Sequence, residues 1–195
     1  MKKILLALAL TLGFAGAAAA ADLSSVGSKG VEATVDYSYL RRADSSTPWV
    51  SSHVGLAGLQ LNAGVLGSAF GSVGNVSTYA GGARADQLTY SVGYANGLKL
   101  GSIALVGGVN WTGVDRGANH TDDTVAFGEI SVPTFIKNVT LFGGYSASLE
   151  KEGDKYASLG AYININEKLV GKVGGQKAWT NTTYNGVVAS LAYKF

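Results

Sequence analysis

Large apolar residues recur at every second position along most of this chain. Leu88-Thr89-Tyr90-Ser91-Val92-Gly93-Tyr94 alternates with small or polar residues, and so does Val31-Glu32-Ala33-Thr34-Val35-Asp36-Tyr37-Ser38-Tyr39. The rhythm returns in Val139–Tyr145, with one aromatic out of phase, in Ala157–Ile165, and in Val187-Ala189-Leu191-Tyr193-Phe195. Successive side chains of a strand point to opposite faces, so a period of two held this long predicts β-strand. Ten strands are expected, near 30–41, 53–63, 70–79, 87–96, 101–113, 123–132, 139–149, 155–165, 168–179 and 186–195. The phase is weak in 53–79, where Gly and Ser blur the faces. In 123–132 either Val125/Phe127 or Ala126/Ile130 faces out, and a one-residue shift inverts every side chain. Pro48 and Pro133 both fall in expected connections.

The second face carries the class. Thr34, Ser38, Thr89, Ser91, Gly93, Gly108, Asn110, Ser146, Ser158, Gly160, Gly174 and Ser190 are small or uncharged, whereas the water-facing side of a soluble sheet is dense in Lys and Glu. Only 14% of residues are charged and most sit between strands, while 47% are hydrophobic. This is an inverted arrangement, with apolar residues outside and small polar ones in a narrow lumen. Lipid offers no hydrogen-bond partner to a free strand edge, so the sheet must close on itself. The expected fold is all-β: a closed antiparallel up-and-down transmembrane β-barrel of about ten strands, with eight as the alternative.

Aromatic placement agrees. With the first strand running outward, Tyr37, Tyr39, Tyr79, Trp111 and Trp179 lie at outer strand ends, and Tyr94, Tyr193 and Phe195 at inner ends. Two girdles at the membrane boundaries are expected. The odd-to-even connections Arg42–Ser52, Ala80–Asp86, Val114–Asp122, Glu150–Asp154 and Thr180–Asn185 are polar and mostly charged. Those around Gly64–Ala69, Gly97–Leu100, Pro133–Asn138 and Asn166–Glu167 are shorter on average.

The first residues form a separate unit. Lys2 and Lys3 precede the apolar Ile4–Phe14 and a small-residue stretch to Ala21, the layout of a cleaved signal peptide over 1–21. Residues 22–195 are then the barrel domain, in a bacterial outer membrane. That leader holds two of the 15 basic residues and no acid, leaving 13 basic against 13 acidic. No basic footprint for nucleic acid remains. There is no Cys, hence no disulfide framework.

The terminal Leu191-Ala192-Tyr193-Lys194-Phe195 resembles the last strand of known outer-membrane barrels, which end in Phe after alternating apolar or aromatic residues. The resemblance implies that Leu191, Tyr193 and Phe195, with Ala189, form the signal read by the barrel assembly machinery. The overall plan resembles the small barrels typified by OmpX and the membrane domain of OmpA, as a pattern of hairpins. It departs from them in strand count.

Closure would bring inward Lys194 beside Glu32, and Lys172 into one network with Glu32 or Asp36. An internal charge cluster of Glu32, Asp36, Lys172 and Lys194 is expected near the inner end, against the alternative of separate solvated charges. Lys177, nominally lipid-facing, belongs near the outer interface, because a midplane Lys costs ~2–4 kcal/mol. Chemistry is thin. His53 and His120 lie near the outer rim, and His120 beside Asp122 and Asp123 invites comparison with the omptin proteases, which carry far longer loops. Ser51 and Ser52 point away from each other and do not make a dyad with His53. Asp122/Asp123 and Glu152/Asp154 could hold Mg²⁺ or Ca²⁺ weakly, ordinary solvated acids being the simpler view. No catalytic, cofactor or metal residues are expected. The function expected is a structural or surface-interaction barrel with a lumen largely filled by Glu32, Asp36, Glu129, Lys172 and Lys194. A narrow porin-like channel is the alternative, and a rim-located hydrolase a remote one. Outer-membrane lipid and lipopolysaccharide are the expected partners.

Overall fold

A computed structural model describes residues 28–43, 50–116, 119–150, 154–179 and 182–195. The leader expected over 1–21, Pro48 and Glu152 lie outside the described residues. Ten strands follow one another as β1 (Lys29–Arg42), β2 (Val50–Ala63), β3 (Ser68–Ala80), β4 (Ala83–Leu100) and β5 (Ile103–Arg116), then β6 (Asn119–Pro133), β7 (Val139–Ser148), β8 (Lys155–Asn164), β9 (Leu169–Trp179) and β10 (Thr183–Lys194). Each pairs antiparallel with its sequence neighbours, and β10 pairs with β1 to close the barrel. Among the described residues no strand edge is left free, as a wall facing lipid requires.

The strands are longer and the turns tighter than the sequence pattern suggests. Residues 83–86 belong to β4, so the connection before it shrinks to Gly81-Gly82. Both glycines have positive φ (57° and 84°), as a type I′ hairpin needs. The next turn is Gly101-Ser102 and not 97–100: Asn96-Gly97 stays in strand, and Gly101 at φ 64° takes the turn. Pro133, expected in a connection, is the last residue of β6, where its missing N–H does least harm. A single 3₁₀ turn, Gly64–Leu66, links β2 to β3.

Alternation sorts the side chains to two walls. Val35, Leu59, Val73, Val92, Leu159 and Val187 are exposed on the outer surface, Leu159 at 71%. Thr34, Ser38, Thr89, Asn110, Thr112 and Ser146 are buried in the lumen. In β6, Val125 is buried and Ile130 is exposed, with Phe127 packed inward, which settles the phase that the sequence left open. In β2 and β3, Val54, Leu56, Phe70 and Val76 all point inward.

Candidate functional site

A lumen is the natural site of any barrel that conducts, and a rim that of one that binds. The rim holding Lys29 and Phe195 is called near, and the opposite one far.

The lumen is packed at three levels by apolar groups. At the far end Leu40, Val50, Tyr156, Ala178 and Tyr184 meet in one cluster. Midway, Val54, Leu56, Phe70, Val76, Ala95 and Val106 form a second, joined by Phe127, whose ring centroid lies 6.1 Å from that of Phe70. Near the β7–β9 wall, Phe142, Tyr162 and Val170 form a third. Glycines make room for this packing. Gly93 lies under Phe70, so that an added Cβ would sit 2.4 Å from its ring, and Gly160 would strike the carbonyl of Val173 at 2.1 Å.

Polar side chains fill the rest. Glu129 accepts from Lys172 Nζ at 3.1 Å and from the Tyr162 hydroxyl at 2.6 Å, while the ammonium also lies 4.3 Å from the centre of the Phe142 ring. Both partners of this pair are almost fully buried, with side-chain exposures of 7% and 5%. Asn62 donates to Glu32 at 3.0 Å, and accepts from Gln60 at 2.8 Å and Ser68 at 2.5 Å. Glu32 stands opposite Lys194 in the β1–β10 register, and Asp36 opposite Ser190. Of the four residues expected to cluster, Lys172 makes its ion pair with Glu129 of β6. A cavity of about 30 Å³, lined by Glu129, Ser146, Ser158, Lys172 and Gln176, has room for one or two waters.

Aromatic side chains ring both ends of the outer wall. Toward the far rim His53 sits among Tyr37, Tyr39 and Tyr79, at 6.1, 4.9 and 5.5 Å between ring centroids, and its Nδ1 lies 2.7 Å from the Tyr37 hydroxyl. Trp111 packs 5.6 Å from Tyr90, and Lys177 lies 5.3 Å from the Trp179 ring. At the near rim Tyr94 donates to the Leu66 carbonyl, and Tyr193 meets Phe195 edge-on at 5.3 Å. Beside the far girdle, Ser77 and Arg84 donate to Asp86. His120 Nδ1 lies 2.8 Å from Asp115 and 3.3 Å from the Tyr90 hydroxyl. Asp123 accepts from Ser148 at 2.6 Å inside the wall, while Asp122 on the same strand is exposed, so these two acids point apart. Among the described residues no group of three or more His, Asp or Glu is placed to hold a metal ion.

The apolar packing inside the lumen is what the sequence reading missed. The weak phase of 53–79 has its origin here, since β2 and β3 carry large residues on both faces. The absence of small polar residues at Val54, Leu56 and Val76 was the available signal.

Neither a protein-family model nor a curated protein sequence matches this chain. Among solved structures, the translocator domain of the autotransporter NalP from Neisseria meningitidis is similar over 99% of this chain and 98% of its own. The identity is 14% and the TM-score 0.57. The KdgM porin, solved in complex with disordered oligogalacturonate, is matched over 83% of this chain and 99% of its own, at 9% identity and a TM-score of 0.43. The NanC porin gives 85% and 100%, at 6% identity and 0.39. The narrower likeness to OmpX rests on the sequence pattern. The chain has the closed up-and-down fold of the bacterial outer-membrane β-barrels.

Proposed function

We propose that this protein is an integral outer-membrane barrel with a sealed lumen, serving a structural or surface-interaction role and not solute passage. The near rim would then face the periplasm and the far rim the exterior. The observation that carries this reading is the far-end cluster of Leu40, Val50, Tyr156, Ala178 and Tyr184, which gathers buried apolar side chains from β1, β2, β8, β9 and β10 where a pore would open to the outside. An apolar constriction repels water and hence ions.

The outer wall fits the expected partners. Tyr37, Tyr39, Tyr79 and Trp179 suit the headgroup boundary of an outer leaflet rich in lipopolysaccharide, and Arg84 stands just beyond them. Leu191, Tyr193 and Phe195 all present side chains outward, where assembly machinery can reach them. The channel reading keeps one supporting observation: the β1, β9 and β10 wall is polar along much of its length, from Glu32 through Ser38 and from Lys172 to Gln176.

Planar-bilayer recording of the purified, folded barrel tests the choice. A silent bilayer at high protein load is expected, and reproducible unitary steps would establish the channel instead. Slower gel migration on heating checks the folded state of the sample.

A further inference from the structure

The near rim is built unlike the far one. Each of its strand-to-strand turns sets an exposed apolar side chain beside a lysine. In the turn between β2 and β3, Val65 is 90% exposed, and a Cβ added to Gly64 of that turn would meet the Lys29 side chain at 3.6 Å. At the end of β4, exposed Leu100 follows Lys99. Between β6 and β7, Phe135 is 99% exposed, close in sequence to Lys137. Between β8 and β9, Ile165 is exposed, and Lys168 lies 5.8 Å from the centre of the Tyr193 ring. Among the described residues, these lysines are opposed at the rim by Glu167 and the terminal carboxylate of Phe195, while Glu32 is buried opposite Lys194. The far rim mixes its signs: Arg84 pairs with Asp86 at 2.9 Å, and Asp122 and Lys155 are both exposed.

Large apolar side chains held out at the tips of turns mark a surface that something covers. Their position says what. Tyr94, on the outer wall, donates to the Leu66 carbonyl and so draws the first turn against that wall at the level of the near girdle. Val65 borders one groove with Leu98 and Leu105, both of the lipid-facing surface. The apolar turn residues therefore continue the wall that meets lipid. A lysine keeps its stem on such a surface and carries its ammonium group outward to the headgroups. We propose that the near rim is an interface for anionic phospholipid. Val65, Leu100, Phe135 and Ile165 dip below the headgroups, and Lys29, Lys99, Lys137 and Lys168 meet the lipid phosphates. A zwitterionic headgroup carries its own ammonium beside the phosphate, so the lysines favour a lipid with net negative charge, such as phosphatidylglycerol. That this leaflet is the periplasmic one rests on the orientation proposed above; the lipid preference itself does not.

The test uses the whole folded barrel in phosphatidylcholine vesicles, with spin-labelled phosphatidylglycerol or phosphatidylcholine reporting the boundary lipid by electron paramagnetic resonance. The wild type should hold the anionic lipid about twofold over the zwitterionic one across the whole boundary shell. A lysine near the surface favours an anion about fivefold, but only at its own place. The preference should fade in about 1 M salt, where the screening length is about 3 Å. Lys29→Gln, Lys99→Gln, Lys137→Gln and Lys168→Gln together should abolish it, while Lys155→Gln with Lys177→Gln at the far rim should leave it intact. Equal association of the two lipids with the wild type would overturn the proposal. So would a preference that survives the near-rim substitutions or vanishes with the far-rim ones. The chain has no cysteine, so Phe135→Cys takes a single nitrobenzoxadiazole label. Lipid bearing a nitroxide high on its acyl chain should quench that label and aqueous iodide should not. The reverse would place the turn in water or against a soluble partner, and would equally remove the lipid interface. Both vesicle leaflets are alike and neither readout depends on conductance, so a wrong orientation or an open lumen would leave these results unchanged.

Discussion

Replacing Lys172 by Met asks whether the lumen is packed or wet. At 3.1 Å from Glu129, the ion pair has a Coulomb energy of about 5 kcal/mol at an effective dielectric of ~20, but only about 1.3 kcal/mol in bulk water. Lys172→Met keeps most of the side chain's length and its aliphatic packing, and removes the ammonium together with its hydrogen bond to Glu129 and its contact with the Phe142 ring. Glu129 would then hold its charge at 5% exposure with the Tyr162 hydroxyl as its remaining donor among the contacts described above. Breaking one side of a buried pair costs about 3–5 kcal/mol, because an ion is left without compensation. Removing both charges, with Glu129→Gln added, should return most of that loss. The coupling between the two substitutions should be about 2 kcal/mol or more. The measurement is urea unfolding of barrels inserted in lipid vesicles, followed by tryptophan fluorescence and by mobility of unheated samples on gels. If Lys172→Met costs less than about 1 kcal/mol and shows no coupling, the pair behaves as a solvent-exposed one. Water would then reach the middle of the barrel, and the sealed lumen would be refuted.

Three further outcomes are expected. Gly74→Ala should cost about 3 kcal/mol or more in the same urea titration, because its Cβ would lie 1.9 Å from the Gly55 carbonyl oxygen and 2.8 Å from Leu56 Cα, both backbone of the neighbouring strand. Gly55→Ala, with nothing within 4 Å of its Cβ, should change stability by less than about 0.5 kcal/mol. Tyr156→Ala combined with Tyr184→Ala should open the far-end cluster and give unitary currents in planar bilayers. A variant that stays silent while folded would show that the seal lies deeper. Phe195→Ala removes an outward ring that holds no lumen contact, so the purified variant should still refold into lipid vesicles, while the folded fraction recovered from outer membranes of expressing cells should fall. Unchanged recovery would remove Phe195 from the assembly signal.

The fold was legible because the two walls ask for different chemistry and the chain supplies it in period two. Leu88, Tyr90, Val92 and Tyr94 against Thr89, Ser91 and Gly93 describe both walls of β4 without further information. The limits of β4 and β5 were not legible. Asn96-Gly97 carries the local chemistry of a hairpin turn, yet the strands run on to Leu100 and Ile103, because Leu98 and Leu105 pair across and extend the apolar outer surface. Arg84 and Asp86 read as loop residues because they are charged, but a strand continues beyond the hydrocarbon wherever its neighbour still offers a ladder. The partner of Lys172 was not legible. Register across adjacent strands set Glu32 opposite Lys194. Lys172 on β9 and Glu129 on β6 meet inside the barrel over the two strands between them, a contact that depends on curvature and strand tilt and leaves no periodic trace.

The seam between β1 and β10 has a consequence for how the molecule is made. Every other ladder joins strands that follow one another along the chain, so each can zip as a local hairpin soon after its residues are available. The seam alone joins opposite ends of the barrel, with Glu32 beside Lys194 and the amide of Phe195 bonded to the carbonyl of Val31. Until the last strand arrives, the curved sheet carries two unsatisfied borders that lipid cannot accommodate. Insertion therefore has to wait for the finished polypeptide, and whatever guides it must shield both borders until they meet.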